Sequence, residues 1–483
     1  MASLLAMLYL VIFSALAVGF YAQTTLSAQV TANERTQHRA QLAAESGVRF
    51  TRHLLSKLEV RYCPEPDLMN AIHTQLYDLM ADSGNLEFGL QEVGLVDMGT
   101  KIVIPKDPYA IINLGEKDYG FRAEIVRNGR QLVVTVAGYG GRASRGLGRG
   151  IEYTYTPDEI PAPVLQQFGV ASNGQVSVAG NGLIKGNPTA AHGSLYITTN
   201  LNPVLTMTGP SEITGDVYIK NASAITSIAA NCKIGGTADV TERSKHIHKP
   251  WPEPWTDPTK PPPPEPEMPV IDTAIFLPYV TANYSAAMGN KIKNVRILAN
   301  TNPTFASGAT IDGIVFIESP NRVSFSGDCT IRGLIVGQNP TPLDAANLAN
   351  NVITFSGQVT AYDAGTLDPA VYGDITKFTG TSLVVPRHNV MFSGGYAAIS
   401  GSICSHKLTF SGKAGGNIQG TIFGVGNQIL SISGSAEVWI SRAPTSKWPA
   451  GMFFRSKWIP AQNTYREVSV PRLENPPFNP LGG

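Results

Sequence analysis

The first apolar run in the chain is also its longest. MASLLAMLYLVIFSALAVGFYA carries no charged side chain, and the next charge is Glu34. Leu4, Leu5, Leu8, Leu10, Val11 and Ile12, followed by Phe13, Leu16, Val18 and Phe20, supply its apolar bulk. As a helix rising about 1.5 Å per residue, Ala2 to Ala22 spans a bilayer core of about 30 Å. The pattern then turns amphipathic. From Gln23 to Leu58 there is no proline, and Leu42, Val48, Leu54, Leu55 and Leu58 recur among Arg, Gln and Glu. One helix is therefore predicted to run unbroken to about Leu58, on the order of 80 Å in all.

Residues 59–160 read as a small α+β region. Leu68, Ile72, Leu76 and Leu79 share one face of a short helix within 64–85, starting near Asp67. Alternation then takes over: Phe121, Ala123 and Ile125, then Leu132, Val134 and Val136, flank Asn128-Gly129, a strong hairpin signal.

From 161 to 443 a phrase recurs at a spacing of roughly 20 residues, as in FASGATIDGIVFI, FSGDCTIRGLIVG and FSGKAGGNIQGTIFG. Short β segments at that period, without heptads, predict a parallel β-helix. Phe325 and Phe410 are expected to point inward and stack on their counterparts in neighbouring coils. Gly327 and Gly412 are expected at corners of positive φ. Ile331, Gly333 and Ile335 repeat the device at the next corner, as do Ile418, Gly420 and Ile422. The proline-rich stretch 248–269 interrupts the repeats as a polyproline spacer or outlying loop. Residues 444–483, with Trp448, Phe453, Phe454 and Trp458, are expected to cap the last open coil and end in a tail.

The opening sixty residues resemble the N-terminal region of type IV pilin-like proteins, of the minor-pilin or pseudopilin type. The likeness rests on ASLLAMLYLV, on TANERTQHRAQ, and above all on AAESGVRF, whose Ala43, Ala44, Glu45, Ser46 and Gly47 match the family's AAEAG box. The resemblance implies an apolar half-helix that anchors in the inner membrane and later packs into a filament core, with a polar half supporting a globular head. The hairpin and the following GYGGRASRGLGRGIEYTYTP have the outline of such a head. Two departures stand out. No basic leader ending in Gly precedes Ala2, so the reading frame is expected to begin upstream, with residue 1 near the processed end. The acidic residue that major pilins carry near their mature N-terminus is also missing, and Arg35 and Arg39 lie on the wrong side to orient the span. A cleaved signal peptide is the competing reading; it lacks a basic n-region, and cleavage at Ala22 would put bulky Phe20 where a small residue is preferred.

Composition sharpens this picture. Charged residues make up 15%, against roughly 25% in ordinary soluble domains, while Gly (48) and Pro (34) are abundant. A net charge of +1 gives no reason to expect nucleic acid as a partner. Cys63, Cys232, Cys329 and Cys404 have no zinc or redox spacing, and the two inside the repeats read as buried thiols. Arg142, Arg145 and Arg149 read as a solvated loop.

Many β-helices are polysaccharide lyases or hydrolases, and glycoside hydrolysis needs two carboxylates roughly 5 to 9.5 Å apart. Asp312 and Asp328 occupy different registers of their repeats, and Asp363, Asp368 and Asp374 suit turns. His246 and His248 have no third ligand at metal-binding spacing. No catalytic, cofactor-binding or metal-binding residue is assigned. The expectation is a mainly β, single-pass inner-membrane protein with most of its chain periplasmic or on the cell surface. Its partners would be the lipid bilayer, other pilin-like subunits through the N-terminal helix, and a surface polysaccharide or protein ligand. The alternatives are a membrane-tethered carbohydrate-active β-helix enzyme and a bactofilin-like scaffold.

Overall fold

The computed structural model describes residues 2–63, 65–81, 93–115, 119–141, 148–253, 266–340, 345–427, 429–442 and 448–470. The chain divides into two compact units, 1–160 with 455–483, and 161–454.

In the first unit α1 is one uninterrupted helix, Ala2–Ser56. Its threonines cause no break because Thr24, Thr25 and Thr36 donate their hydroxyls to carbonyls four residues back. α2 (Glu65–Ala81) buries Leu68, Met69, Ile72, Leu76 and Met80; Leu79 is only partly covered, and residues 82–85 lie outside the described residues. The sheet contains β1 (Val60–Arg61), β2 (Gly94–Val96), β3 (Lys101–Ile104), β5 (Tyr119–Asn128), β6 (Gln131–Gly140) and β7 (Gly148–Pro161), with β4 (Ile112–Asn113) beside β5. A late strand, Met452–Pro460, lies between β1 and β7. β5 and β6 form the expected hairpin, paired from Tyr119↔Gly140 to Asn128↔Gln131. Its two-residue loop is Gly129-Arg130, with Gly129 at φ +60°, where a side chain is strained.

The second unit is built on a 25-stranded sheet whose strand pairs are parallel. Phe305, Phe325, Phe355, Phe392 and Phe410 are buried and stack face to face, with centroids 5.0, 4.9, 4.8 and 5.2 Å apart. Pairing continues this inner column through Ile432, Val178, Met207 and Ile228. Ile331, Ile335, Ile418 and Ile422 are likewise fully buried. All four cysteines are free thiols, and Cys232, Cys329 and Cys404 are buried.

The order of that column is not chain order. The chain starts inside the stack at Val170–Ser172 and winds outward to Ile247–His248. It resumes at the opposite end, at Ala282–Asn283, and winds back to Glu437–Ile440, which pairs with Leu183–Gly186. The edge that residues 444–483 were expected to cover is therefore filled by the first level of the same stack. Phe454 and Met452 instead join an apolar cluster with Phe168 and Tyr196.

The glycines divide by cause. Gly412 (φ +65°) and Gly333 (φ +129°) hold the left-handed backbone expected of a corner. Gly327 does not, which corrects the sequence reading. A Cβ there would fall 2.5 Å from Ser307 Cβ and 2.6 Å from Ser307 Cα, so crowding by the neighbouring level demands glycine. At Gly420 the same crowding comes from Ser402 N at 2.5 Å.

Candidate anchoring and assembly site

The leading half of α1 is an unpartnered apolar rod. Leu5 (56% exposed), Phe13 (67%) and Val18 (68%) typify it, and Leu8, Leu10, Val11, Ile12, Leu16 and Phe20 are exposed as well; Leu4's side chain is outside those described. An 18-residue window of the helix reaches a mean hydropathy of 2.2 with none of it buried. It is one helix long and apolar enough to cross a membrane among the described residues. A continuous apolar surface of this kind marks a lipid or protein interface, because water solvates it poorly.

Further along, the same helix is docked. Ala40, Ala43 and Ala44 have no exposed surface, and Ala40 and Ala44 lie on the glycines of β6. A Cβ at Gly138 would come within 2.1 Å of Ala40 O and 2.3 Å of Ala44 N. At Gly140 it would meet Thr36 O at 2.2 Å, and at Gly47 it would meet Val136 Cγ1 at 2.5 Å and Phe121 Cδ2 at 2.6 Å. Helix backbone thus lies directly on strand backbone, with small residues on both sides. Within the stretch AAESG, Ala43 and Ala44 are fully buried and Gly47 lies against Val136 and Phe121, while Glu45 and Ser46 bond within the helix. Glu45 accepts from Gln41 (3.3 Å), and Ser46 donates to Leu42 O (2.8 Å). Phe50 packs on Phe121 at 5.4 Å, and Thr51 hydrogen-bonds Tyr153. Burial pushes the Tyr153 phenol up against the opposing effect of that bond, and pushes Tyr155 up to about 12. Both rings stay protonated at any ordinary pH.

Other singled-out residues fall elsewhere. Arg142, Arg145 and residues 254–265 of the proline-rich stretch lie outside the described residues, while Arg149 is exposed on β7. Trp251 packs on Tyr218 (4.8 Å) and His248 (5.9 Å). His246 and His248 do have a carboxylate: Asp216, on the neighbouring level, lies 2.7 Å from His246 Nδ1 and 3.3 Å from His248 Nε2. Burial pushes the Asp216 carboxyl up, and the two histidine bonds outweigh this and hold it below the usual range. Among the described residues no three such groups are arranged to hold a metal ion. Asp216 escapes sequence reading because its partners are thirty residues away and only the register brings them together.

The acidic residues of the second unit have separate partners. Asp312 pairs with Arg332 at 2.7 Å, and Asp328 accepts the Gln358 N–H at 2.9 Å. Asp363 and Asp368 cap short helical turns, and Asp374 pairs with Lys377. A different pattern marks the outside of the phenylalanine column. Thr304, Ser324, Thr354, Met391, Thr409, Ser431, Ser177, Thr206 and Ser227 follow one another across the levels, all but Met391 bearing hydroxyls.

No protein-family model matches the chain, and no curated protein matches it. Among solved structures, the competence-associated pilin ComZ from Thermus thermophilus aligns over 90% of this chain and 97% of that one. Identity is 12% and the TM-score 0.25, too low for a shared fold to be argued from it.

Proposed function

We propose that this chain is a membrane-anchored, type IV pilin-like structural protein whose second unit is a parallel β-helix carried for surface contact. The observation that carries this reading is the two-part α1. Its leading half exposes apolar side chains throughout, and its trailing half is docked on a sheet through small residues. Such a helix partitions into the inner membrane as a single span, and it exchanges lipid for the like helices of other subunits with no change in its own backbone. The reading places the bulk of the chain in the periplasm or on the cell surface.

The β-helix is supported by the parallel registers and by the inward column of phenylalanines. Its role is taken as binding, not catalysis. Asp216, Asp312, Asp328, Asp363, Asp368 and Asp374 are each bonded to a cation, a histidine or a backbone N–H, and the outer column is rich in hydroxyls, a chemistry suited to an uncharged polar surface such as polysaccharide or to a protein.

The test is cross-linking in the membrane. In a full chain carrying Cys63→Ser, cysteines placed one at a time at Leu8 and Leu16 should be shielded from water-soluble maleimide in cells. They should also form oxidant-dependent disulfides with a cysteine placed in the apolar helix of a co-expressed second subunit once a filament system is expressed. Free maleimide labelling refutes the anchor, and shielding without adducts refutes the assembly role.

A further inference from the structure

The first and last levels of the second unit are neighbours, and they are joined by a complete backbone ladder. Asn173 N–H donates to Gly424 O (2.8 Å), Ala179 to Ile432 O (2.8 Å), Asn181 to Gly434 O (2.7 Å), Leu183 to Ala436 O (2.9 Å) and Asn187 to Ile440 O (2.8 Å). In return, Ile422 donates to Gly169 O and Leu430 to Gln175 O, each at 2.9 Å. Elsewhere the ladders connect levels close in sequence, as with Phe325↔Phe355 or Leu205↔Val176. This ladder alone joins segments about 250 residues apart, so its closure carries the largest chain-entropy cost in the stack.

Side chains fasten the same place. The chain enters the stack through α3 (Val164–Gln167) and leaves its last level at Arg442. The Arg442 guanidinium donates through Nη1 to Gln166 O (2.8 Å) and Gln167 O (2.6 Å), at the C-terminal end of α3. The Arg442 backbone N–H donates to His192 Nδ1 (3.1 Å). One level away, the buried Thr421 hydroxyl donates to Leu165 O at 2.8 Å. A cationic nitrogen donating to two carbonyls left open by a helix end is a strong, charge-assisted contact.

We infer that Arg442, with Thr421, is a clasp, and that the seam between the levels 170–186 and 422–440 is the joint at which the second unit opens. On one side of the joint lies the block 170–248, on the other 282–440, and the inward column runs on through the joint from Ile432 to Val178. Residues 249–281 tie the two blocks, so an opened seam closes again without either block unfolding. Opening exposes the two strand edges that pair Val176 with Leu430 and Val178 with Ile432. A second copy of the chain offers the same edges.

Hydrogen exchange by mass spectrometry on the full chain in detergent tests this. Arg442→Ala should speed exchange of peptides covering 173–187 and 422–440 by at least about tenfold, the effect of losing one charge-assisted hydrogen bond. Peptides covering 322–326 and 352–356 should stay within about twofold of wild type. Arg442→Lys, which keeps the charge but not the planar, pre-organised guanidinium, should fall between. Ser177 and Ser431 are paired neighbours on the outer face, so a disulfide between Ser177→Cys and Ser431→Cys should restore protection to the Arg442→Ala chain. Uniform loosening of all levels, an unchanged seam, or loosening that persists under the disulfide would each overturn the inference.

Discussion

His388 makes the second unit sensitive to acid in a way that can be calculated. It lies within the strand Thr381–Phe392, has no exposed surface, and neither ring nitrogen has a hydrogen-bond partner among the described residues. The ring is so close to the neighbouring level that a Cβ on Gly337 would fall 2.6 Å from His388 Nδ1. Burial pushes its pKa down to about 3 from an ordinary 6.5. The folded ring stays neutral while the unfolded ring takes up a proton below pH 6.5. Stability is therefore fully present above that pH and drains away as pH falls toward 3. At pH 5.0 the loss is about 2 kcal/mol, or about thirtyfold in the opening equilibrium. Arg387, half-buried beside it and bonded to Asn339, stays charged, and His406 on the adjacent strand is shifted down first by burial and then by Arg387, so it adds to the loss in the same direction. The measurement is hydrogen exchange of peptides covering 381–410 in the full chain at pH 7.5 and 5.0, corrected for intrinsic rates. Wild type should lose about thirtyfold more protection on acidification than His388→Leu, which keeps the bulk and removes the proton site. Equal losses in the two chains would show that the ring finds a proton-accepting or water-filled environment, and the reasoning from burial would fail.

Other outcomes follow from the same contacts. The ten Leu, Ile, Val and Phe residues between Leu4 and Phe20 favour insertion by roughly 0.3 to 0.6 kcal/mol each, and an Arg at the centre opposes it by about 3 kcal/mol; Ile12→Arg should therefore move much of the chain out of the carbonate-resistant membrane pellet, where Ile12→Val stays. Gly138→Leu sets a side chain against the α1 backbone, and should destabilise the first unit by at least about 3 kcal/mol in urea titrations, more than Gly129→Ala at the open hairpin turn. Phe355→Ala removes a ring stacked on both faces, and should cost about 3 to 5 kcal/mol in the second unit without affecting membrane association. Replacing residues 161–454 with a short Gly-Ser linker should leave the α1 contacts with β6 intact by NMR.

What the sequence discloses depends on range. The apolar rod is legible because it is a property of consecutive residues, and the β5–β6 hairpin because its partners flank one turn. The repeating phrase announces levels, since every level needs an inward apolar residue and a tight corner. It does not announce their neighbours. Ile432 meets Val178 with the same chemistry that joins Phe392 to Phe410, so nothing local distinguishes the seam from any other step. Gly327 reads as a corner by its phrase, yet what fixes it is Ser307 on the adjacent level. MFFRSKWIP alternates like any edge strand, and only the whole topology puts Ser456 opposite Val60.

That topology also explains why the stack is wound from the middle. β7 ends at Pro161 and the strand Met452–Pro460 is its neighbour in the first unit's sheet. Everything between is therefore an insertion whose two ends must come close together. Wound in one direction, the stack would instead hold its first and last levels at opposite extremes. From His248 through Tyr218, Tyr196, Ala171, Phe423, Cys404, Val384, Val336, Phe316 and Arg296 to Asn283, the ladder takes ten steps. At about 4.8 Å each, its extremes are about 48 Å apart. Starting inside, winding out, crossing back and winding in makes the first and last levels adjacent instead.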